Sequence, residues 1–392
     1  MSTSILQISP AYKPSYIYGG PTMSVAKLCE ALVNSSSDIE LSVLTTTANG
    51  PTELPVEIGK PIMVDDVKVT YYKRITKDHT HFSPQLFRVL KQLIVSARSP
   101  KKREKSAIVV HIHAWWNLIS LFSCAIARFY RVPVILSPRG MLTDYTLGNR
   151  NSLTKSAIHL LMGKGLLKYC HIHATSEQEK EDVLKIVVPK SITVIPNLVN
   201  LPEKAPVRQK LEARPFKLIF LSRIEEKKGL ELLLEALSDV GFDFSLTIAG
   251  SGEANYLASL KAKAEVFGIA EHIEWAGHVD NDRKFDLLAQ HDLMVLTSYN
   301  ENFANVVVES LWAGTAVLLS SHVGLSDYVN AKNLGWISDL SISSIREKLT
   351  TAFHQSAERN MIRETSPSII AHDFSTAALT PRYLELYTKA IN

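Results

Sequence analysis

Short runs rich in β-branched residues recur along the chain, separated by stretches whose apolar positions repeat at helical spacing. In the first half the runs lie at Ile5–Ser9, Leu41–Thr45, Val67–Tyr72, Ala107–Ile112, Val134–Ser137, His171–Ala174 and Ile192–Ile195. In the second they lie at Lys217–Leu221, Ser245–Ala249, Ile273–Trp275, Leu293–Thr297 and Ala316–Ser320. Helical patterns intervene, among them Thr22–Leu32, Gln85–Ser96, Gly229–Ser238 and Asn305–Ala313. Strands that alternate with helices predict parallel sheets covered on both faces.

A chain of 392 residues exceeds what one core usually holds. Two α/β domains are expected, each a doubly wound, Rossmann-like sheet. The polar, proline-rich stretch Asn200–Pro215 is the expected seam. The domains then span 1–200 and 201–374, and a last helix at about 375–392 is a candidate to return to the first domain. Ligands of open parallel sheets bind beyond the carboxyl ends of the strands. Two facing sheets would gather those ends around one cleft, so chemically active residues are sought just after strands.

Composition narrows the class. Apolar residues make up 46% and charged residues 21%, as in a soluble globular protein. No basic segment followed by an apolar core opens the sequence, so no secretory leader is expected. The longest uncharged apolar stretch, Ala114–Ala127, is shorter than the roughly 20 residues a bilayer requires. Cys29, Cys124 and Cys170 form neither a disulfide framework nor a zinc pattern. These features predict a cytoplasmic protein. Residues 1–200 carry 24 Lys and Arg against 14 Asp and Glu, which points to an anionic partner for that half. A phosphate-bearing substrate or an anionic membrane surface, on which the protein would be peripheral, fits better than nucleic acid, because no nucleic-acid motif accompanies the charge. The basic run Lys101-Lys102-Arg103-Glu104-Lys105 follows an amphipathic pattern at Pro84–Ala97. That pattern reads either as a core-packed helix before a solvated loop or as an interfacial helix.

The second half holds the stronger constellation. Arg223 and Lys228 follow the run Lys217–Leu221 and suit a diphosphate, one as a fork and one as a point charge. By itself this could also be a solvated basic loop. After Leu293–Thr297 come Glu301, Asn302, Phe303, Ala304, Asn305, Val306 and, eight residues beyond Glu301, Glu309. The backbone at Phe303–Val306 opens a helix, where free N–H groups and the helix dipole favour phosphate oxygens or a sugar hydroxyl. Glu309 suits the two hydroxyls of a ribose. Gly250 and Gly252 permit close backbone approach to a ligand or form a plain turn. The triplet Asp280-Asn281-Asp282 reads as a helix cap rather than a metal site.

In the first half, Gly19 and Gly20 precede a helix and either admit a phosphate or sugar or form an entry turn. His-Ile-His-Ala occurs at 111–114 and 171–174. No carboxylate or cysteine cluster accompanies it, so metal binding is disfavoured. His113 leads into Trp115 and Trp116, an aromatic strand exit suited to a sugar, whereas His173 leads into a capped helix and is read as structural. Arg139 ends a strand and is a candidate anion or acceptor contact, or else a structural salt-bridge partner.

Taken together, Glu301-x7-Glu309 with Asn302, Phe303 and Asn305, the pair Arg223 and Lys228-Gly229, Gly250-Ser-Gly252, Pro196-Asn197 and His113 resemble the retaining glycosyltransferases of family 4. The resemblance runs from the Gly19-Gly20 loop to Asp327 and implies the GT-B architecture of two facing Rossmann-like domains. It implies that Gly20 closes on the donor phosphates and that Arg223 and Lys228 hold the diphosphate. Glu309 would hold the ribose, Glu301 and the Phe303–Val306 backbone the donor sugar, and His113 would lie beside the reacting centre. The substrates implied are a nucleotide diphosphate hexose, a UDP-sugar before a GDP-sugar, and a glycan or lipid-linked acceptor in surface polysaccharide synthesis. No cofactor or metal is implied. Ala304, Ala316 and Leu198 depart from the family pattern, which has glycine, proline and glycine there. The rival readings are a sugar-nucleotide epimerase of the same fold and a non-catalytic nucleotide-sugar-binding protein.

Overall fold

The computed structural model describes residues 3–98, 107–143, 163–206 and 215–392. The chain divides into two compact units, Met1–Asn200 with Thr376–Asn392 and Leu201–Ser375. The basic run at 101–105 and residues 207–214 of the proline-rich seam lie outside the described residues.

The first unit runs β1 (Thr3–Ile8), α1 (Gly20–Val33), β2 (Ile39–Thr46), β3 (Ala48–Asn49), β4 (Thr52–Glu53), β5 (Pro61–Val64), β6 (Val67–Tyr72), α2 (Pro84–Ala97), β7 (Ala107–His113), α3 (Leu118–Phe129), β8 (Val134–Ser137), α4 (Lys164–Tyr169), β9 (His171–Ala174), α5 (Glu177–Ile186) and β10 (Ser191–Val194). Its sheet has the order β10-β9-β8-β7-β1-β2-β6-β5, with only β5 antiparallel. Both faces are buried, as the period of two dictates. Leu6, Val110 and Leu136 pack into one core, while Ile5, Val109 and Ile135 pack into the other. The α2 stripe Leu86, Leu90 and Ile94 is fully buried in the first of these cores. The core-packed reading of that helix therefore holds, and this apolar face is not available to a membrane.

The second unit runs β11 (Phe216–Leu221), α6 (Leu230–Leu237), β12 (Phe244–Ala249), α7 (Ala254–Val266), β13 (Ile273–Gly277), α8 (Asn281–Ala289), β14 (Leu293–Leu296), α9 (Asn305–Trp312), β15 (Ala316–Ser320), α10 (Ser326–Ala331), β16 (Gly335–Ser338), α11 (Ile342–His354) and α12 (Ser356–Phe374). Its sheet, β13-β12-β11-β14-β15-β16, is parallel throughout. The order reverses between β11 and β14, and a topological switch point is where such sheets bind ligands. The last helix, α13 (Thr376–Ile391), belongs to the first unit and buries Leu379, Tyr383, Leu386 and Tyr387 there. No helix among the described residues is long and apolar enough to cross a membrane.

Candidate functional site

The loops that leave β11 and β14 meet at the switch point of the second sheet. The Tyr299 N–H donates to the Lys227 carbonyl at 2.9 Å, and Thr297 Oγ1 donates to the Gly229 carbonyl at 2.8 Å. On the other side Glu301 N–H donates to the His322 carbonyl at 3.0 Å, and Gly324 N–H donates to the Glu301 carbonyl at 2.7 Å. The loop carrying Glu301 is thus clamped between its neighbours, which fixes its backbone before any ligand arrives.

Within this clamp Lys228 Nζ binds Glu301 Oε2, with both side chains largely buried. Burial pushes the Glu301 carboxyl up, but Lys228, Lys227 and Arg223 outweigh it and hold its pKa below the ordinary range. Burial lowers the Lys227 ammonium, and Glu301 partly offsets this. Arg223 is more than half exposed and pairs with Glu225 at 2.7 Å. The result is a cluster of three cations and one buried carboxylate at a strand end, next to the α9 N-terminus. Glu309, one turn into α9, accepts on Oε1 from Lys284 Nζ of α8 at 2.7 Å, and both side chains are mostly enclosed.

Ala304 precedes α9 with φ 65° and ψ 79°, the left-handed region that glycine adopts without strain. Phe303 is buried beside Phe374, with ring centroids 6.2 Å apart, so the loop offers its backbone rather than an aromatic face. Asn305 and Val306 form the first turn of α9.

The glycines play two different parts. A Cβ on Gly250 would meet the Ser222 carbonyl oxygen at 1.8 Å, and one on Gly252 the Ile224 oxygen at 2.3 Å. Their close approach is to the chain that carries Arg223, which the Ile224 N–H to Ser251 carbonyl bond of 2.8 Å also secures. Gly250 and Gly252 therefore shape the Arg223 loop from behind. Gly19 has φ 63° and nothing within 4 Å of a built Cβ, so there the missing side chain leaves open space at the start of α1. Gly20 is the first residue of that helix.

His113 lies in a buried polar network of the first unit. His173 Nε2 lies 2.8 Å from the Ile195 carbonyl, which can only accept, so this nitrogen carries the proton. His173 Nδ1 then accepts from Ser137 Oγ at 2.6 Å, and Ser137 accepts from His111 Nε2 at 2.8 Å. His111 Nδ1 accepts from the Tyr387 hydroxyl at 2.7 Å, which in turn accepts from Gln7 Nε2 at 2.8 Å. Gln7 Oε1 accepts from His113 Nε2 at 2.7 Å, leaving His113 Nδ1 to accept from Arg139 Nη2 at 3.3 Å. One direction runs through the whole chain, and it requires three neutral histidines. Burial drives His111 and His113 well below their ordinary pKa and His173 to about 3. Arg139 disfavours protonation of all three, His173 disfavours it at His111 and His113, His111 disfavours it at His113, and the Ile195 carbonyl favours it at His173.

Two expectations change. Trp115 is completely buried in the core, so it presents no face to a sugar; Trp116 is half-buried and donates from Nε1 to the Met141 carbonyl at 2.5 Å. His173, read from sequence as structural, is buried and shares the network of His113. Asp280 stands at the α8 N-cap position without a side-chain cap bond, and its backbone carbonyl accepts from Arg283 and Lys284 instead. No group of three His, Cys, Asp or Glu side chains suited to a metal converges among the described residues. Lys284, Lys227, Gln7 and Tyr387 were missed because none belongs to a local motif, whereas Asn197 stood out only through Pro196-Asn197.

Residues 203–368 match the family described as "Glycosyl transferases group 1", and residues 19–198 match the "Glycosyl transferase 4-like domain". The chain is 26% identical over 227 residues to a glycogen synthase of Mycobacterium tuberculosis, covering 56% of this chain and 54% of that protein. It is 22% identical to the D-inositol 3-phosphate glycosyltransferase of Jonesia denitrificans over 81% of this chain and 78% of the other. It is 28% identical to the lipopolysaccharide core biosynthesis glycosyltransferase LpsE of Rhizobium meliloti over 42% and 48%. The match to the glycogen synthase spans about half of that protein's length. Sucrose-phosphate synthase from Thermosynechococcus elongatus shares the fold with a TM-score of 0.74 at 17% identity, over 99% of this chain and 98% of that one. Anabaena HepE in complex with UDP and glucose gives 0.71 at 14% identity, over 99% and 100%. With one family match inside each unit and a fold shared end to end, the chain belongs to the GT-B glycosyltransferases of group 1.

Proposed function

We propose that the chain is a retaining glycosyltransferase of family 4. It takes a hexose-type sugar from a nucleotide diphosphate donor and passes it to a glycan or lipid-linked acceptor, without a metal ion. The observation that carries this reading is the cluster of Arg223, Lys227, Lys228 and Glu301 at the switch point, beside the start of α9. UDP is favoured as the donor's nucleotide, since Anabaena HepE of the same fold is known with UDP and glucose. A role in surface polysaccharide synthesis draws support from the likeness to the lipopolysaccharide enzyme LpsE.

In this reading Arg223 and Lys228 neutralise the leaving diphosphate, and the first-turn N–H groups of α9 hold the donor sugar with Glu301. Glu309, steadied by Lys284, takes the ribose hydroxyls. The acceptor oxygen attacks the anomeric carbon from the face the diphosphate leaves. The carbon–oxygen bond to the β-phosphate breaks, and the acceptor proton passes to a β-phosphate oxygen. No protein nucleophile enters, so configuration is retained. The cations supply the charge stabilisation that a divalent ion supplies elsewhere.

The test is nucleotide release from a panel of UDP-, GDP- and ADP-sugars, with and without chelator. One donor should be turned over in both conditions. Turnover that appears only with added magnesium or manganese contradicts the metal-free mechanism, and no turnover with any donor contradicts the enzyme reading.

A further inference from the structure

Arg139 follows β8 on an unusual piece of backbone. Its φ is 54°, and that of Gly140 is 74°. Two successive positive values persist only where the surroundings hold them. Here the Gly140 N–H donates to Glu179 Oε1 at 2.7 Å. The second oxygen of Glu179 accepts from the Thr175 N–H at 2.7 Å and Thr175 Oγ1 at 2.9 Å. Glu179 thus holds the turn through neutral donors and forms no ion pair with Arg139.

The guanidinium itself is held by neutral acceptors. Nη1 donates to Asn197 Oδ1 at 2.7 Å and Nη2 to His113 Nδ1 at 3.3 Å. Its Nε–H is enclosed and has no hydrogen-bond partner. No carboxylate pairs with it among the described residues. A guanidinium has five N–H donors, and only two are engaged. Burial lowers the pKa of the guanidinium, and Glu179 offsets this only in part without an ion pair to it, so the enclosed cation is costly and its bare buried donor adds to that cost. The histidine network explains how the group is aimed. It fixes the lone pair of His113 on Nδ1, toward Arg139, so His113 positions the cation rather than acting on a proton.

We propose that Arg139 anchors an oxyanion subsite in the first unit, and that it takes a phosphate-type group carried by the acceptor. The word acceptor rests on the glycosyltransferase reading; the anion site does not. The planar fork with its free edge at Nε matches two oxygens of one phosphate.

The full chain saturated with UDP is titrated with inorganic phosphate at constant ionic strength, with melting temperature and calorimetric heat as readouts. Phosphate should bind saturably in the presence of UDP. Arg139→Gln should weaken phosphate at least tenfold while UDP affinity stays within twofold. Arg139→Lys, which keeps the charge and not the fork, should weaken phosphate several-fold and serves if the glutamine variant does not fold. Arg223→Ala should show the reverse pattern. The proposal falls if phosphate has no saturable effect on the wild type, or if its affinity survives both Arg139 variants. It also falls if Arg139→Gln loses UDP as strongly as Arg223→Ala, which would assign the guanidinium to the donor. If no nucleotide binds at all, the enzyme reading fails, and the same phosphate titration without UDP still decides the anion site.

Discussion

The ammonium of Lys228 rests on Oε2 of Glu301, so the cation expected to meet the donor diphosphate is already engaged by the carboxylate expected to meet the donor sugar. Donor binding then has to redistribute this pair rather than fill an empty charge. Removing the carboxylate should release Lys228 for the phosphates. Glu301→Gln is expected to bind the nucleotide at least as tightly as the wild type and to lose about a hundredfold or more in turnover, the range for loss of a positioned polar group. Calorimetry with the nucleotide beside initial rates checks this. A variant that loses nucleotide affinity and keeps its rate would reverse the assignment.

Glu309 and Lys284 make the second prediction. Their 2.7 Å contact between α9 and α8 orients the carboxylate proposed for the ribose. Glu309→Gln should cost about 1.5–3 kcal/mol of nucleotide binding, the range for hydrogen bonds to a charged group. Lys284→Met should weaken binding less. Comparing UDP with its 2′- and 3′-deoxy forms separates the roles: the wild type should prefer UDP, and Glu309→Gln should lose the preference. A preference that survives would place the ribose elsewhere.

Ala304 holds a left-handed backbone with a Cβ that disfavours it. Ala304→Gly relieves about 1 kcal/mol of strain, offset in part by the extra freedom of glycine in the unfolded chain. The variant should match or slightly exceed wild-type stability in urea and change its relative rates among donor sugars. A loss of more than about 1 kcal/mol would mean that the methyl group packs usefully.

The buried histidines set a pH dependence. His111, His113 and His173 are held neutral in the folded chain, whereas each protonates near pH 6.5 when unfolded. Below that pH the unfolded state binds more protons, so stability is full above about pH 7 and falls as pH drops. The slope is about 1.4 kcal/mol per pH unit for each histidine. Carboxylates with lowered pKa, such as Glu301, add their loss only at lower pH. Denaturant melts should therefore be flat from pH 8 to 7 and decline steeply from 6 to 5. Constant stability across that window would show that the network accepts protons while folded.

Much of the fold is visible in the sequence because buried parallel strands are β-branched runs, and each predicted run overlaps an observed strand. β16 escaped because Gly335-Trp-Ile-Ser is short and opens on glycine. The structure gives the reason: a Cβ at Gly335 would lie 2.0 Å from the Val317 carbonyl oxygen. In the candidate site, Arg223, Lys228, Glu301 and Glu309 stand out as charges directly after strands or early in a helix. Gln7 and Tyr387 meet across 380 residues, a pairing no local pattern encodes. Trp115 misled because an aromatic at a strand exit serves a core as well as a sugar.

The most direct measurement of the central claim is nucleotide diphosphate binding to the wild type and to Arg223→Ala. Arg223 is more than half exposed, and its one ion pair among the described residues is with the nearby Glu225, so its removal should leave the melting temperature unchanged. UDP is expected to bind the wild type saturably and to bind Arg223→Ala at least tenfold more weakly. Equal affinity in the two proteins, with both folded, would contradict a diphosphate site at the end of β11.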